Sequence, residues 1–129
     1  MPNLKILITD DSKPARLLIR RILEKKNVEI TEAVEGAEAL EHALQEDYDL
    51  IFMDHNMPKM TGLEFVKVLN KYNKKQPVIM TTAVNASDTI KDSIESGVAD
   101  YLIKPFTANS LLKKTDMVLS RFGKKLEDK

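Results

Sequence analysis

Apolar positions along the chain fall into two spacings. In the first they run almost unbroken: Leu4, Ile6, Leu7 and Ile8; then Leu50, Ile51, Phe52 and Met53; then Val78, Ile79 and Met80. Runs this short and continuous suit strands covered on both faces of a parallel sheet. Residues 28–33 alternate apolar and polar, which predicts a less deeply covered strand. Tyr101, Leu102 and Ile103, just before Pro105, predict a last strand at a sheet edge.

In the second spacing apolar residues recur every three or four positions. Ala15, Leu18, Ile19, Ile22 and Leu23 predict a helix with Ser12 as N-cap and Pro14 in its first turn. Residues 36–45 place Ala37, Leu40 and Leu44 on one face, and residues 62–72 offer Phe65, Val66 and Leu69. A weaker helix over 86–96 has only Ile90 and Ile94 as large apolar anchors and ends at Gly97. Residues 107–122 close the series with Leu111, Leu112, Val118, Leu119 and Phe122.

Strand and helix therefore alternate five times, joined by short connections. Right-handed crossovers turn that order into an open parallel sheet with helices on both faces. An eight-unit barrel would need roughly twice the chain. The 129 residues read as one domain over 1–123 and a charged tail over 124–129, with no effector domain expected after it.

Composition narrows the class. Hydrophobic residues at 43% and charged residues at 31% fit a single soluble core. Twenty bases cancel twenty acids, and neither a signal peptide nor a membrane-length apolar run is present. The expectation is a cytoplasmic protein with no direct nucleic-acid contact and no membrane insertion. The absence of cysteine excludes disulfides and thiolate chemistry. Two histidines, His42 and His55, are too few and too far apart for a histidine zinc site. Charge is nonetheless uneven: six bases face one acid between Lys13 and Lys26, and nine acids lie between Glu29 and Asp54 with no base among them. That acidic stretch is either a set of solvated helix faces or the surroundings of a cation.

In open α/β sheets ligands bind beyond the carboxyl ends of the strands. There the first strand delivers Asp10 and Asp11, the third Asp54, the fourth Thr81 and Thr82, and the fifth Lys104. Crowded carboxylates repel and must be compensated by protonation or a cation. Mg²⁺ needs only one or two carboxylates, completed by carbonyl and water. Such an ion beside an ammonium and a hydroxyl is a set for binding a phosphoryl group, and an aspartate can be its nucleophilic acceptor.

The Asp10–Asp11 pair, Asp54 followed by His55, Asn56, Met57 and Pro58, Gly62, Thr82 with Ala83, and Lys104 with Pro105 and Phe106 together resemble the signature of a response-regulator receiver domain. The resemblance spans essentially the whole chain, and residues 101–108 and the short length make it most similar to stand-alone chemotaxis (CheY-type) regulators. It implies a doubly wound, flavodoxin-like (βα)5 sandwich of three layers with parallel strand order 2-1-3-4-5. It also implies Asp54 as phosphoacceptor, Asp11 as a direct Mg²⁺ ligand, Asp10 as a water-mediated one, and Asn56 as a ligand through its carbonyl. Lys104 and Thr82 would hold phosphoryl oxygens. Pro105 stands where the family has a cis-proline, and Tyr101 where it has a switch aromatic whose ring swings inward when the Thr82 hydroxyl moves. The implied protein is a signalling phosphoacceptor and not an enzyme. A histidine kinase would phosphorylate Asp54 with Mg²⁺, altering the face made by the 86–96 helix, Tyr101 and the C-terminal helix. An output protein, such as the flagellar motor switch, would bind that face, and a phosphatase is a further expected partner.

Other readings meet obstacles in the same residues. A phosphohydrolase of haloacid-dehalogenase type expects an acid two residues after the nucleophile, where Asn56 cannot exchange a proton. A flavodoxin-like nucleotide binder needs a phosphate loop after the first strand, where Asp10 and Asp11 would repel the ligand. A degenerate docking receiver would have lost Asp54, Lys104 or the acidic pair. A phosphorelay or adaptor receiver outside chemotaxis is the alternative within the family. His55 follows a strand-end Asp54, so alternation points it away from the pocket. His55 and Val84 vary in the family and bear on rates.

Overall fold

The computed structural model describes residues 3–83, 91 and 97–129. Apart from Lys91, the helix expected over 86–96, with Ile90 and Ile94, lies outside the described residues, as does Val84. The strands are β1 (Leu4–Thr9), β2 (Val28–Ala33), β3 (Leu50–Asp54), β4 (Val78–Ala83) and β5 (Asp100–Lys104). The described helices are α1 (Lys13–Leu23), α2 (Gly36–Gln45), α3 (Gly62–Lys71) and the C-terminal helix (Ala108–Arg121). Every ladder is parallel and the strand order is β2-β1-β3-β4-β5, a doubly wound, flavodoxin-like α/β sheet.

Position in the sheet follows the apolar pattern. Central β3 is buried along its whole length, whereas β2 and β5 at the edges are only partly covered. On one face Leu7, Ile51, Met53 and Met80 pack with Ala39, Ala43, Phe65 and Leu69 of α2 and α3. On the other, Ile6, Ile8, Phe52 and Ile79 meet Ile19 and Leu23 of α1 and Leu111, Val118 and Leu119 of the C-terminal helix. Each such side chain taken fully out of water contributes about 1.5–3 kcal/mol, so this double layer dominates the stability. Helix starts are fixed locally: the Ser12 hydroxyl accepts from the Ala15 N–H, and Thr61 and Glu64 satisfy each other's backbone reciprocally.

Three local expectations change. In α2 the inward residues are Gly36, Ala39 and Ala43 with Leu40 beside them, while Ala37 and Leu44 face solvent. The small residues set that rotation, because the helix lies so close to the loop after β3 that a Cβ on Gly36 would sit 2.9 Å from the Met60 Cβ. In α1 and the C-terminal helix the buried stripes are narrower than expected, leaving Leu18 47% and Phe122 53% exposed. Residues 124–129 are not a free charged tail. Leu126 is only 7% exposed and joins the α1-side core, while the Asn27 N–H donates to the Glu127 carbonyl at 2.7 Å. Lys26 holds Asp128 at 2.7 Å, which closes the segment against the corner between α1 and β2.

Candidate functional site

Sheet register assembles the site. Thr9 of β1 pairs with Met53 of β3, so Asp10 and Asp11 emerge next to Asp54. Asp54 in turn pairs with Thr81 of β4, and Ala83 pairs with Lys104 of β5. Carboxylate oxygens of Asp10, Asp11 and Asp54 all lie within 4.8 Å of one another. Asp10 and Asp54 are buried and Asp11 is exposed. The Lys104 ammonium reaches both buried acids, at 2.9 Å from Asp10 Oδ2 and 3.2 Å from Asp54 Oδ1. The Ser12 N–H donates to Asp10 Oδ1 at 2.9 Å, and the Asn56 N–H approaches Asp54 Oδ1 at 3.4 Å.

The electrostatics leave an excess of negative charge. Burial pushes the Asp54 carboxyl above its ordinary pKa and the charge of Asp10 pushes it further, with Lys104 only partly offsetting both. Burial also works against the charge on Lys104, but its bonds to the two aspartates prevail and hold its pKa above the usual lysine value. Among the described residues one ammonium thus pairs with two of the three carboxylates and leaves Asp11 without a cation partner. This donor set of hard oxygens, crowded and under-compensated, fits a divalent cation such as Mg²⁺.

The remaining expected residues sit around this cluster. Thr82 is 1% exposed and its hydroxyl finds no partner among the described residues. A buried polar group left unpaired costs about 1–3 kcal/mol, so a ligand oxygen at this rim would meet a donor already held ready. The Lys104–Pro105 peptide is cis. Tyr101 is half-buried against the α2–α3 layer, with the Lys114 ammonium 4.8 Å from its ring centre and bonded to Asp100 at 2.9 Å. His55 is half-buried, its N–H donates to the Thr81 carbonyl at 2.9 Å, and it takes no part in the acidic cluster. Asn56 is exposed. Gly62 packs directly under Asp54, since a Cβ there would lie 2.9 Å from the Asp54 carbonyl oxygen.

Sequence reasoning missed the support behind the acidic pair. The Arg16 Nη1 donates to the Asp10 carbonyl at 2.7 Å, and its Nε donates to Glu32 at 3.0 Å. The only signal for it was the i, i+4 spacing of Arg16 and Arg20 in a basic helix ahead of an acidic strand. It missed Lys114 as well, which becomes visible only when the C-terminal helix is laid over β5.

Fold and site together define a doubly wound α/β domain with a lysine-bridged acidic cluster at the carboxyl edge of its sheet. Residues 6–116 match the response regulator receiver domain family, and the chain belongs to that family, the phosphoacceptor half of two-component signalling. Transcriptional regulatory protein ResD of Bacillus subtilis is 36% identical over 117 residues, which is 91% of this chain and 48% of that protein. Transcriptional regulatory protein SrrA of Staphylococcus aureus is 35% identical over the same shares, so the chain spans about half the length of these relatives. Among solved structures, the Francisella response regulator 1452 receiver domain is 32% identical with a TM-score of 0.86, covering 93% of this chain and 99% of that one. Vibrio cholerae chemotaxis protein CheY4 is 33% identical with a TM-score of 0.83, covering 90% and 98%. No described helix is long and apolar enough to cross a membrane.

Proposed function

We propose that the domain is a cytoplasmic phosphorylation switch in which Asp54 accepts a phosphoryl group from a histidine kinase. The observation that carries this reading is the Lys104 bridge between Asp10 and Asp54 at one rim with the unpartnered Thr82 hydroxyl. An Asp54 oxygen attacks phosphorus, the bond from phosphorus to the donor's imidazole nitrogen breaks, and the electron pair leaves with the imidazole. Lys104 then turns part of its bonding from the two aspartates to phosphoryl oxygens, and the Thr82 hydroxyl, without a partner among the described residues, donates to another. Asp10, Asp11, Asp54 and the Asn56 carbonyl would hold Mg²⁺, which when bound supplies charge neutralisation for the transferring group. The outcome is a change of state and not a released product, so the domain acts as a signalling phosphoacceptor and not as an enzyme. A phosphatase acting on Asp54 would reset it.

The output runs from Thr82 to Tyr101. Drawing the Thr82 hydroxyl toward the phosphoryl group frees room behind it, and the half-buried Tyr101 ring turns inward on the neighbouring strand. That changes the face formed by Tyr101 and the C-terminal helix, where an output protein docks. A chemotaxis output, such as the flagellar motor switch, is supported by the likeness to CheY4 along almost its whole length. A transcriptional output is the second reading, favoured by the likeness to ResD and SrrA.

The decisive experiment is intact mass after treatment with acetyl phosphate and Mg²⁺. The wild type gains one alkali-labile phosphoryl group and Asp54→Asn gains none. Equal labelling of the variant, or label on His42 or His55, overturns the mechanism.

A further inference from the structure

Arg16 is tied at both ends. Its Nε donates to Glu32 Oε1 at 3.0 Å, its Nη1 donates to the Asp10 carbonyl at 2.7 Å, and its side chain is only 12% exposed. Glu32 carries Arg20 on its other oxygen at 2.6 Å. Burial pushes the Glu32 carboxyl up, but the hydrogen bonds from Arg20 and Arg16 prevail and hold its pKa below the ordinary value. Glu32 lies beside Ile8 in the sheet, and Arg16 and Arg20 are one turn apart on α1. A continuous set of bonds therefore runs from the edge strand, through the helix, to the peptide joining Asp10 and Asp11.

That peptide needs holding. The Asp10 N–H makes the last bond to β2, at 3.2 Å from the Ala33 carbonyl, and beyond it the chain leaves the sheet. The Asp10 side chain is fixed by Lys104 and the Ser12 N–H. Asp11 is exposed, so its aim depends on how the peptide before it is turned. We infer that Arg16, oriented by Glu32, is a positioning residue that fixes the Asp10–Asp11 peptide and so aims the Asp11 carboxylate at the cation site. This inference rests on the cation-assisted phosphoacceptor reading given above.

Charge and position make opposite predictions here. As a positive charge next to the site, Arg16 opposes a cation, and removing charge alone would tighten cation binding. As a positioning residue its loss weakens binding, and lysine cannot replace it, because a point-like ammonium lacks the planar fork that serves Glu32 and the carbonyl together. Arg20 shares Glu32 but does not reach the loop, so Arg20→Gln serves as a control matched in charge.

The test is an Mg²⁺ titration of the full chain, without phosphodonor, followed through the backbone amide shifts of Asp10, Asp11 and Asn56. Amide dispersion and thermal melts establish that each variant is folded. Arg16→Gln and Arg16→Lys should each weaken Mg²⁺ binding by about tenfold, the scale on which ligand-supporting residues act. Arg20→Gln should stay within about twofold of wild type, since surface charge alone acts weakly. Glu32→Gln should weaken binding, with little added loss in the double variant with Arg16→Gln, and these variants carry the test if Arg16→Gln does not fold. An Arg16→Gln protein that binds Mg²⁺ as tightly as wild type or tighter, or an Arg20→Gln protein weakened as much, overturns the inference. Asp11→Ala separates the two levels: wild-type Mg²⁺ binding in that variant means the cation reading itself has failed. Lost binding in Asp11→Ala with unaltered Arg16 variants means that only the positioning role has failed.

Discussion

Gly62→Ala places one methyl group where the fold has left no space. The new Cβ would lie 2.4 Å from the Met80 sulfur, 2.9 Å from the Asp54 carbonyl oxygen and 3.1 Å from the His55 Cα. Met80 is fully buried, and the Gly62 N–H is bound to the His55 carbonyl at 3.2 Å, so neither the sulfur nor the helix start yields freely. Overpacking of this kind costs about 1–3 kcal/mol, and the better helix propensity of alanine returns up to about 1 kcal/mol. The net loss is about 1–2 kcal/mol. With an unfolding entropy of about 2.1 cal/mol/K per residue, that is a fall of roughly 4–7 °C in Tm. Thermal melts and urea titrations of Gly62→Ala, alone and combined with Met80→Ala, measure it. Shortening Met80 removes the closest clash, so the glycine substitution should cost about 1 kcal/mol less in that background. The residual cost reports pressure on the Asp54 carbonyl, and phosphorylation by acetyl phosphate should be slower in both. A Gly62→Ala variant as stable as wild type, or a cost undiminished in the Met80→Ala background, refutes the reasoning.

Thr82→Ala removes a buried hydroxyl that has no partner among the described residues, and the relieved penalty is offset by the packing lost with the methyl group, so stability should change by less than about 1 kcal/mol while phosphorylation persists. Output-partner affinity should then no longer respond to phosphorylation, and a large loss of stability in urea would show the hydroxyl to be already engaged. Because the pKa of Asp54 is raised, the folded chain binds that proton more tightly than the unfolded chain, and stability gains as pH falls through it. In chelator, Asp54→Asn should therefore be more stable than wild type at pH 7 by roughly 0.5–2 kcal/mol, with the gap closing in acid; a gap constant with pH removes burial and repulsion as its source. Leu126→Ala should cost about 2 kcal/mol in urea titrations, at the lower end for a buried leucine, and no loss would mean that the docked terminus adds nothing to stability.

What the sequence disclosed and what it hid have physical reasons. The central strands were legible because burial on both faces demands unbroken apolar runs, as in Leu50 to Met53. The rim aspartates and Lys104 were legible because strand ends carry them whatever the details of packing. The inward face of α2 was misread because large residues were weighted over small ones, whereas close approach to Met60 selects Gly36, and Ala39 and Ala43 are buried with it. Docking of the terminus escaped notice because one leucine among charges has no periodicity, and its partners, Lys26 and Asn27, are about a hundred residues away in the chain. Arg16 and Glu32 escaped for the same kind of reason: their meeting depends on the register of an edge strand under a crossing helix, and no local pattern encodes that.

The Lys114 ammonium over the Tyr101 ring has an optical consequence. The chain contains no tryptophan and three tyrosines, so its near-ultraviolet circular dichroism and intrinsic emission draw chiefly on Tyr48, Tyr72 and Tyr101. Tyr72 is 60% exposed and Tyr48 is held to Glu46 at 3.2 Å, so both chromophores are insulated from events at the rim. Only Tyr101 sits beneath a cation and on a strand paired with the one that carries Thr82. The inward turn proposed for that ring would take it out of the field of the Lys114 ammonium, so its near-ultraviolet signal would report which state the protein occupies.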